Sequence, residues 1–306
     1  MKSKMVIVFL ILTGTLLAGC DQRKPLVTTS GTVTVEVDES VSNVVKHIAS
    51  GFEQSYPDAK IDIRVVEGRE AITNFINDSV KVIVSARAFN DEELDVLKRY
   101  PDIEWKSYRC AIDAIAVIGH RSNPQKELRL TELDSIFQGS LARWKWNGKL
   151  IDVAVGDVNS SVNEVFRKKI MNNKPFTLSA ARILSSDSLV TYVENNPNAI
   201  GIVGLNWLRG REDQLTVFAL GQPGVRPDTT EPVGRFYTPH QAHIHRNYYP
   251  ITRPVYLYSR AYGYTVATGF IAHITSIHGQ QRFLSEGLVP VTMPIRLVET
   301  TSKQVQ

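Results

Sequence analysis

The sequence predicts an α/β protein folded as two lobes, with mainly parallel sheets covered by helices. Two observations predict this. Through the first half of the chain, stretches alternating apolar and polar residues take turns with stretches of helical spacing, the pattern of parallel strands joined by helices. The chain is also long, 306 residues of which 43% are hydrophobic. Roughly 270 of them follow the N-terminal leader and tether, enough for two lobes.

The leader comes first. Lys2 and Lys4 precede an apolar run from Met5 to Leu17, and the segment closes as Leu16-Leu17-Ala18-Gly19-Cys20. A basic start, a short apolar run and small residues before a cysteine form an export signal with a lipidation site, so residues 1–20 are expected to direct export and Cys20 to carry the lipid. The run is shorter than the roughly 20 residues a membrane-spanning helix needs. Residues 21–31 are polar and unpatterned, as a tether would be, and residues 299–306 form a tail.

Folding is expected to start at Thr32. Residues 32–38 alternate as a strand, and residues 43–56 have helical spacing through Val44, His47, Ile48 and Phe52. A second strand, 60–66, leads to a short helix at 71–76, and a third, 81–85, to a helix over 91–100. The order then repeats, with a strand at 114–118, a helix at 130–137, a strand at 151–155 and a helix at 162–171.

Composition removes several functions. The 35 Lys and Arg exceed the 31 Asp and Glu by four, and loss of Lys2 and Lys4 with the leader leaves +2, too weak a balance for nucleic-acid binding. With Cys20 lipidated, Cys110 has no disulfide partner and is read as a buried small residue. There is no Gly-x-Ser-x-Gly, His-Glu-x-x-His or phosphate-binding P-loop, and Gly201 and Gly204 lack the rest of a dinucleotide fingerprint, so no catalysis and no cofactor are expected. On a strand, His243 and His245 would share a face, but no nearby Cys or carboxylate completes a metal shell. Of Trp144-Lys145-Trp146, only Trp146 is left as a surface aromatic.

Open α/β sheets bind ligands where strands turn into helix N-termini, which offer free N–H groups. Three such turns are rich in hydroxyls: Asp38-Glu39-Ser40-Val41-Ser42, Ser85-Ala86-Arg87, and Asn159-Ser160-Ser161. Together they could wrap a small oxyanion, although Ser and Asn also serve as ordinary helix caps. An acid such as Asp38 or Glu39 would accept a hydrogen bond from protonated phosphate and repel a fully ionised anion; equally, either could cap the helix that follows. Arg87 would add a charge-assisted contact, or pair at the surface with Asp91 or Glu92.

Several segments, in order, resemble the phosphate-binding lipoproteins of high-affinity phosphate ABC importers, within the type II periplasmic-binding-protein fold. They are Ser85-Ala-Arg-Ala-Phe-Asn-Asp-Glu-Glu, Ile112-Asp-Ala-Ile-Ala-Val-Ile with Asn123-Pro124, Ile136-Phe137-x-Gly139 with Leu133 and Trp144, Asn198-Ala-Ile-Gly-Ile-Val-Gly, Tyr249-Pro-Ile-Thr-Arg-Pro-Val-Tyr, and Gly279-Gln-Gln with Gly287-Leu-Val-Pro. The resemblance implies helices on both faces of the sheets, two crossover strands and a ligand cleft between the lobes. Lobe one is expected at 32–113 and 250–298, and lobe two at 114–249. The ligand residues it implies are Asp38, Glu39, Ser40, Ser42, Arg69, Ser85, Arg87, Asn159, Ser160 and Ser161. The implied partners are inorganic phosphate or a related oxyanion, ABC permease subunits, and the membrane through the lipid on Cys20. The protein would act as a monomer outside the cytoplasm, with neither metal nor nucleic acid. The family's Gly-Ser first loop is replaced here by Asp38-Glu39-Ser40, the Ser-Gly pair of the second is absent from Gly68-Arg69-Glu70, and its Ser-Gly-Thr is Ser160-Ser161-Val162. These departures leave room for an interaction or sensor lipoprotein that keeps the fold with an altered pocket.

Overall fold

The computed structural model describes residues 27–101, 104–221 and 235–292. The export signal, Cys20, most of the tether and the tail lie outside the described residues.

The first lobe is built from three strands, β1 (Gly31–Asp38), β2 (Ala59–Val66) and β3 (Val82–Ser85), in the order β2-β1-β3 with parallel pairing. Helices α1 (Ser42–Ser55), α2 (Gly68–Ile76) and α3 (Asp91–Lys98) follow them in turn. Alternation puts successive strand residues on opposite faces. Val84 accordingly packs with Val37, Val44 and Phe52 on one side of the sheet, while Ile83 packs with Phe75 and Tyr258 on the other.

Two strands tie the lobes together. The long β4 (Lys106–His120) pairs through its first part with the antiparallel β8 (Thr252–Ser259), and through its second with β7 (Ala199–Gly204). Beyond β7 lie β5 (Asp152–Val155) and β6 (Ala181–Arg182), both parallel to their neighbours. Helices α4 (Leu130–Gln138), α5 (Ser161–Ile170) and α6 (Ser186–Asn195) belong to this second lobe. The fold is therefore a two-lobed α/β architecture, but its sheets are mixed rather than mainly parallel. The strand–helix units produce parallel pairs, whereas the strands running between lobes must pair antiparallel with their neighbours. A period-two pattern carries no sign of strand direction.

Local expectations meet their context here. Cys110 is fully buried, and burial pushes its thiol up to about 12, which suits packing and not nucleophilic attack. Trp144 is buried against Phe218 and donates from Nε1 to the Asn198 carbonyl, while Trp146 is exposed. His243 and His245 sit on a short helix, α7 (Gln241–His245), and not on a strand; His240 caps it by accepting the Ala242 N–H.

Candidate functional site

Four chain turns meet where the lobes touch, and Asp38 lies at their centre. It ends β1 and is 1% exposed. Its Oδ1 accepts the Ser40 N–H at 3.1 Å and the Ser40 hydroxyl at 2.7 Å, and its Oδ2 accepts the Ala86 N–H at 3.1 Å. The first and third turns thus close on one carboxylate. Gly68 brings in the second: a Cβ there would lie 2.6 Å from Asp38 Oδ2 and 2.7 Å from Ser161 Cβ, so the approach requires glycine.

The fourth turn comes from the other lobe. Ser160 caps α5 by accepting the Val162 N–H, and the next residue, Ser161, places its Oγ 3.2 Å from Ser40 Oγ. Arg253 Nη1 donates to Ser161 Oγ at 2.9 Å, and its Nε and Nη2 donate to Asp113 Oδ2 at 2.9 and 2.7 Å. Both members of this ion pair have side chains with no exposure. Burial raises the Asp113 carboxyl, and the guanidinium offsets only part of that rise.

Further bonds join the lobes. Glu39 crosses to the start of α6, where it accepts the Ser186 N–H at 2.9 Å and the Ser186 hydroxyl at 2.7 Å. Trp207 Nε1 donates to the Ser40 carbonyl at 3.0 Å, and the Arg69 N–H to the Asn159 carbonyl at 3.2 Å. Gly204 permits this closeness, since a Cβ there would lie 2.8 Å from the Ser40 oxygen and 2.9 Å from Arg253 Nη2.

Arg87 stands in a neighbouring cluster. It is 5% exposed, grips Glu93 with both Nη atoms at 2.8 and 2.7 Å, and holds its Nε 3.0 Å from Glu164 Oε2 on α5. Its partners are therefore a partly buried glutamate in the first turn of α3 and an acid of the opposite lobe, not Asp91 or Glu92 at the surface. Glu93 is the third residue of α3, and its contact with the Asn90 N–H in a capping box aims it back towards Arg87.

Of the remaining residues expected in the site, Ser85 donates to the Arg87 carbonyl and shapes the third turn, and Ser42 is buried in the first turn of α1. Arg69 and Asn159 meet through their backbones; the Arg69 side chain is exposed, 4.0 Å from Glu164. Asp113, Arg253, Glu93, Glu164, Ser186 and Trp207 were not expected. Asp113 and Arg253 had a usable signal, one acid and one base each set within an apolar strand.

The junction is acidic. Burial raises the Glu39 carboxyl despite its bonds to Ser186. Burial, then Glu39, Asp157, Asp38 and Glu70, push Glu67 up to about 8. The three arginines closest to these acids, Arg69, Arg87 and Arg253, each lie within ion-pair distance of a carboxylate. The arrangement offers hydroxyl and N–H donors to an acceptor, which is the chemistry of binding.

Residues 25–277 match the family model described as the PBP superfamily domain. The phosphate-binding protein PstS of Pseudomonas aeruginosa is 20% identical over 295 residues, covering 90% of this chain and 87% of that protein. Among solved structures, a phosphate ABC transporter substrate-binding protein from Clostridium perfringens, with bound phosphate, superposes with a TM-score of 0.72 at 22% identity, covering 85% of this chain and all of that one. An ABC-type phosphate transport receptor from Vibrio cholerae gives 0.63 at 17% identity, covering 86% of this chain and all of the receptor. At these identities the superpositions establish the fold.

Proposed function

The chain belongs to the PBP superfamily, and we propose that it is an exported solute-binding lipoprotein, anchored through Cys20, that captures phosphate or a similar small oxyanion and delivers it to an ABC importer. One observation carries this reading: the Ser40 and Ser161 hydroxyls, the Ala86 N–H and the Arg253 guanidinium, drawn from both lobes, are gathered in one buried hydrogen-bond network beside Asp38. A closing cleft needs that geometry to enclose a small acceptor. The relatives named for phosphate supply the ligand class, and they are named as binding proteins.

A second reading, an interaction or sensor protein that keeps the fold, is favoured by a different observation. The cleft's arginines are paired with the protein's own carboxylates, and Glu39 and Trp207 bond across from one lobe to the other.

Thermal unfolding of the mature protein with phosphate, sulfate, molybdate and a simple phosphonate separates the two. A ligand at 1,000 times its dissociation constant adds about 4 kcal/mol to the native state, raising the midpoint of a chain this size by roughly 8 °C. A shift of that size with phosphate alone supports the receptor, and no shift with any anion supports the second reading.

A further inference from the structure

We propose that the Asp38 carboxylate is the resident anion of the cleft: it fills the seat that the four turns form and competes with any oxyanion that enters. This rests on the reading of the cleft as an oxyanion site and goes further, assigning the residue that sets its affinity.

A carboxylate and a phosphate present the same kind of acceptor oxygen to N–H and O–H groups. The donors that would greet an anion at the first and third turns, the Ser40 N–H, the Ser40 hydroxyl and the Ala86 N–H, already bond Asp38 at 2.7–3.1 Å. The second turn packs Gly68 against the same carboxylate, and the fourth sets Ser161 beside it. The guanidinium of Arg253 is paired with Asp113, and that of nearby Arg87 with Glu93 and Glu164. An arriving oxyanion would therefore find its donors taken and an uncompensated like charge beside it, in a site with little water to screen the repulsion.

Asp38 is joined to the seat by only one residue of chain, so its effective concentration there is far above that of a free solute. A solute binds only in proportion to the time the seat is open, and its apparent affinity falls by that fraction.

Calorimetric titration of the purified protein with inorganic phosphate, beside Asp38→Ser and Asp38→Asn, tests this. Expected is at least tenfold tighter binding by Asp38→Ser, with Asp38→Asn changing in the same direction. A wild type that is silent while Asp38→Ser binds upholds the inference and removes phosphate as the natural solute. Equal affinities overturn the inference and leave the receptor reading intact. Weaker binding by the variants also overturns it, because Asp38 would then be a partner of the ligand. If neither protein binds, the vacated donors do not form an anion seat and the inference falls with the receptor reading. Should the variants fold poorly, added acetate or phosphate is expected to raise their unfolding midpoints by more than it raises that of the wild type; an equal or smaller rise overturns the proposal.

Discussion

Arg253 and Arg87 both connect one lobe to the other, yet they do so at different depths. Arg253 and its partner Asp113 lie on the two crossover strands with no side-chain exposure, and the guanidinium uses a third bond to hold Ser161. Arg87 sits nearer the opening, where Glu93 is 15% and Glu164 29% exposed. A buried charge that loses its partner cannot turn to water, whereas one at the rim can. The deep pair is thus bound up with folding itself, and the shallow one lies where water can take over its partners.

The largest effect should come from the deep pair. Arg253→Met strands the Asp113 carboxylate in an apolar interior and should cost about 3–5 kcal/mol, seen as a large loss of urea midpoint. Arg253→Met combined with Asp113→Leu should recover much of that loss; failure to recover would mean that the hydrogen bond to Ser161, and not the ion pair, is what the fold needs. Arg87→Ala should cost less, about 2 kcal/mol, because the abandoned glutamates gain water. A double-mutant cycle of Arg87→Ala with Glu164→Gln isolates the bond across the cleft, and a coupling below about 0.5 kcal/mol would show that Arg87 serves only α3.

This contrast also explains what could be read in the chain. The strand–helix order is local: Val35 and Val37 alternate with polar neighbours, and Val44, Ile48 and Phe52 follow a helical period. The hydroxyl-rich turns were legible for the same reason, and Asp38, Ser40 and Ser161 do converge. Pairings at long range were not. Asp113 and Arg253 are 140 residues apart, and Glu39 and Ser186 are 147 apart, so nothing in either neighbourhood specifies the partner. Arg87 illustrates an intermediate case. Its charge suited a ligand contact, but Glu93, only six residues away, satisfies it.

Glu39 sharpens the picture at the rim. Its carboxylate supplies α6 with a cap from the opposite lobe, and Glu39→Ala should cost about 1 kcal/mol in urea unfolding, the scale of a lost helix cap. A loss near zero would mean that the backbone of Ser186 finds water as readily as it finds Glu39.

Glu67 gives the smallest effect, and its sign follows from burial among like charges. Its carboxyl is raised from 4.5 to about 8 in the folded chain. Between those values the folded state holds a proton that the unfolded chain has released, so the contribution to stability is complete below about 4.5 and is lost as the pH climbs towards 8. The side chain is half-buried, and water screens part of its repulsion from Glu39, Asp157, Asp38 and Glu70. Glu67→Gln should therefore raise the midpoint by roughly 3 °C at alkaline pH while leaving it nearly unchanged at pH 5. Melting curves of both proteins across that range measure it. An equal change at both ends would mean that Glu67 contributes by shape alone, and that its crowding by Glu39, Asp157, Asp38 and Glu70 carries no cost.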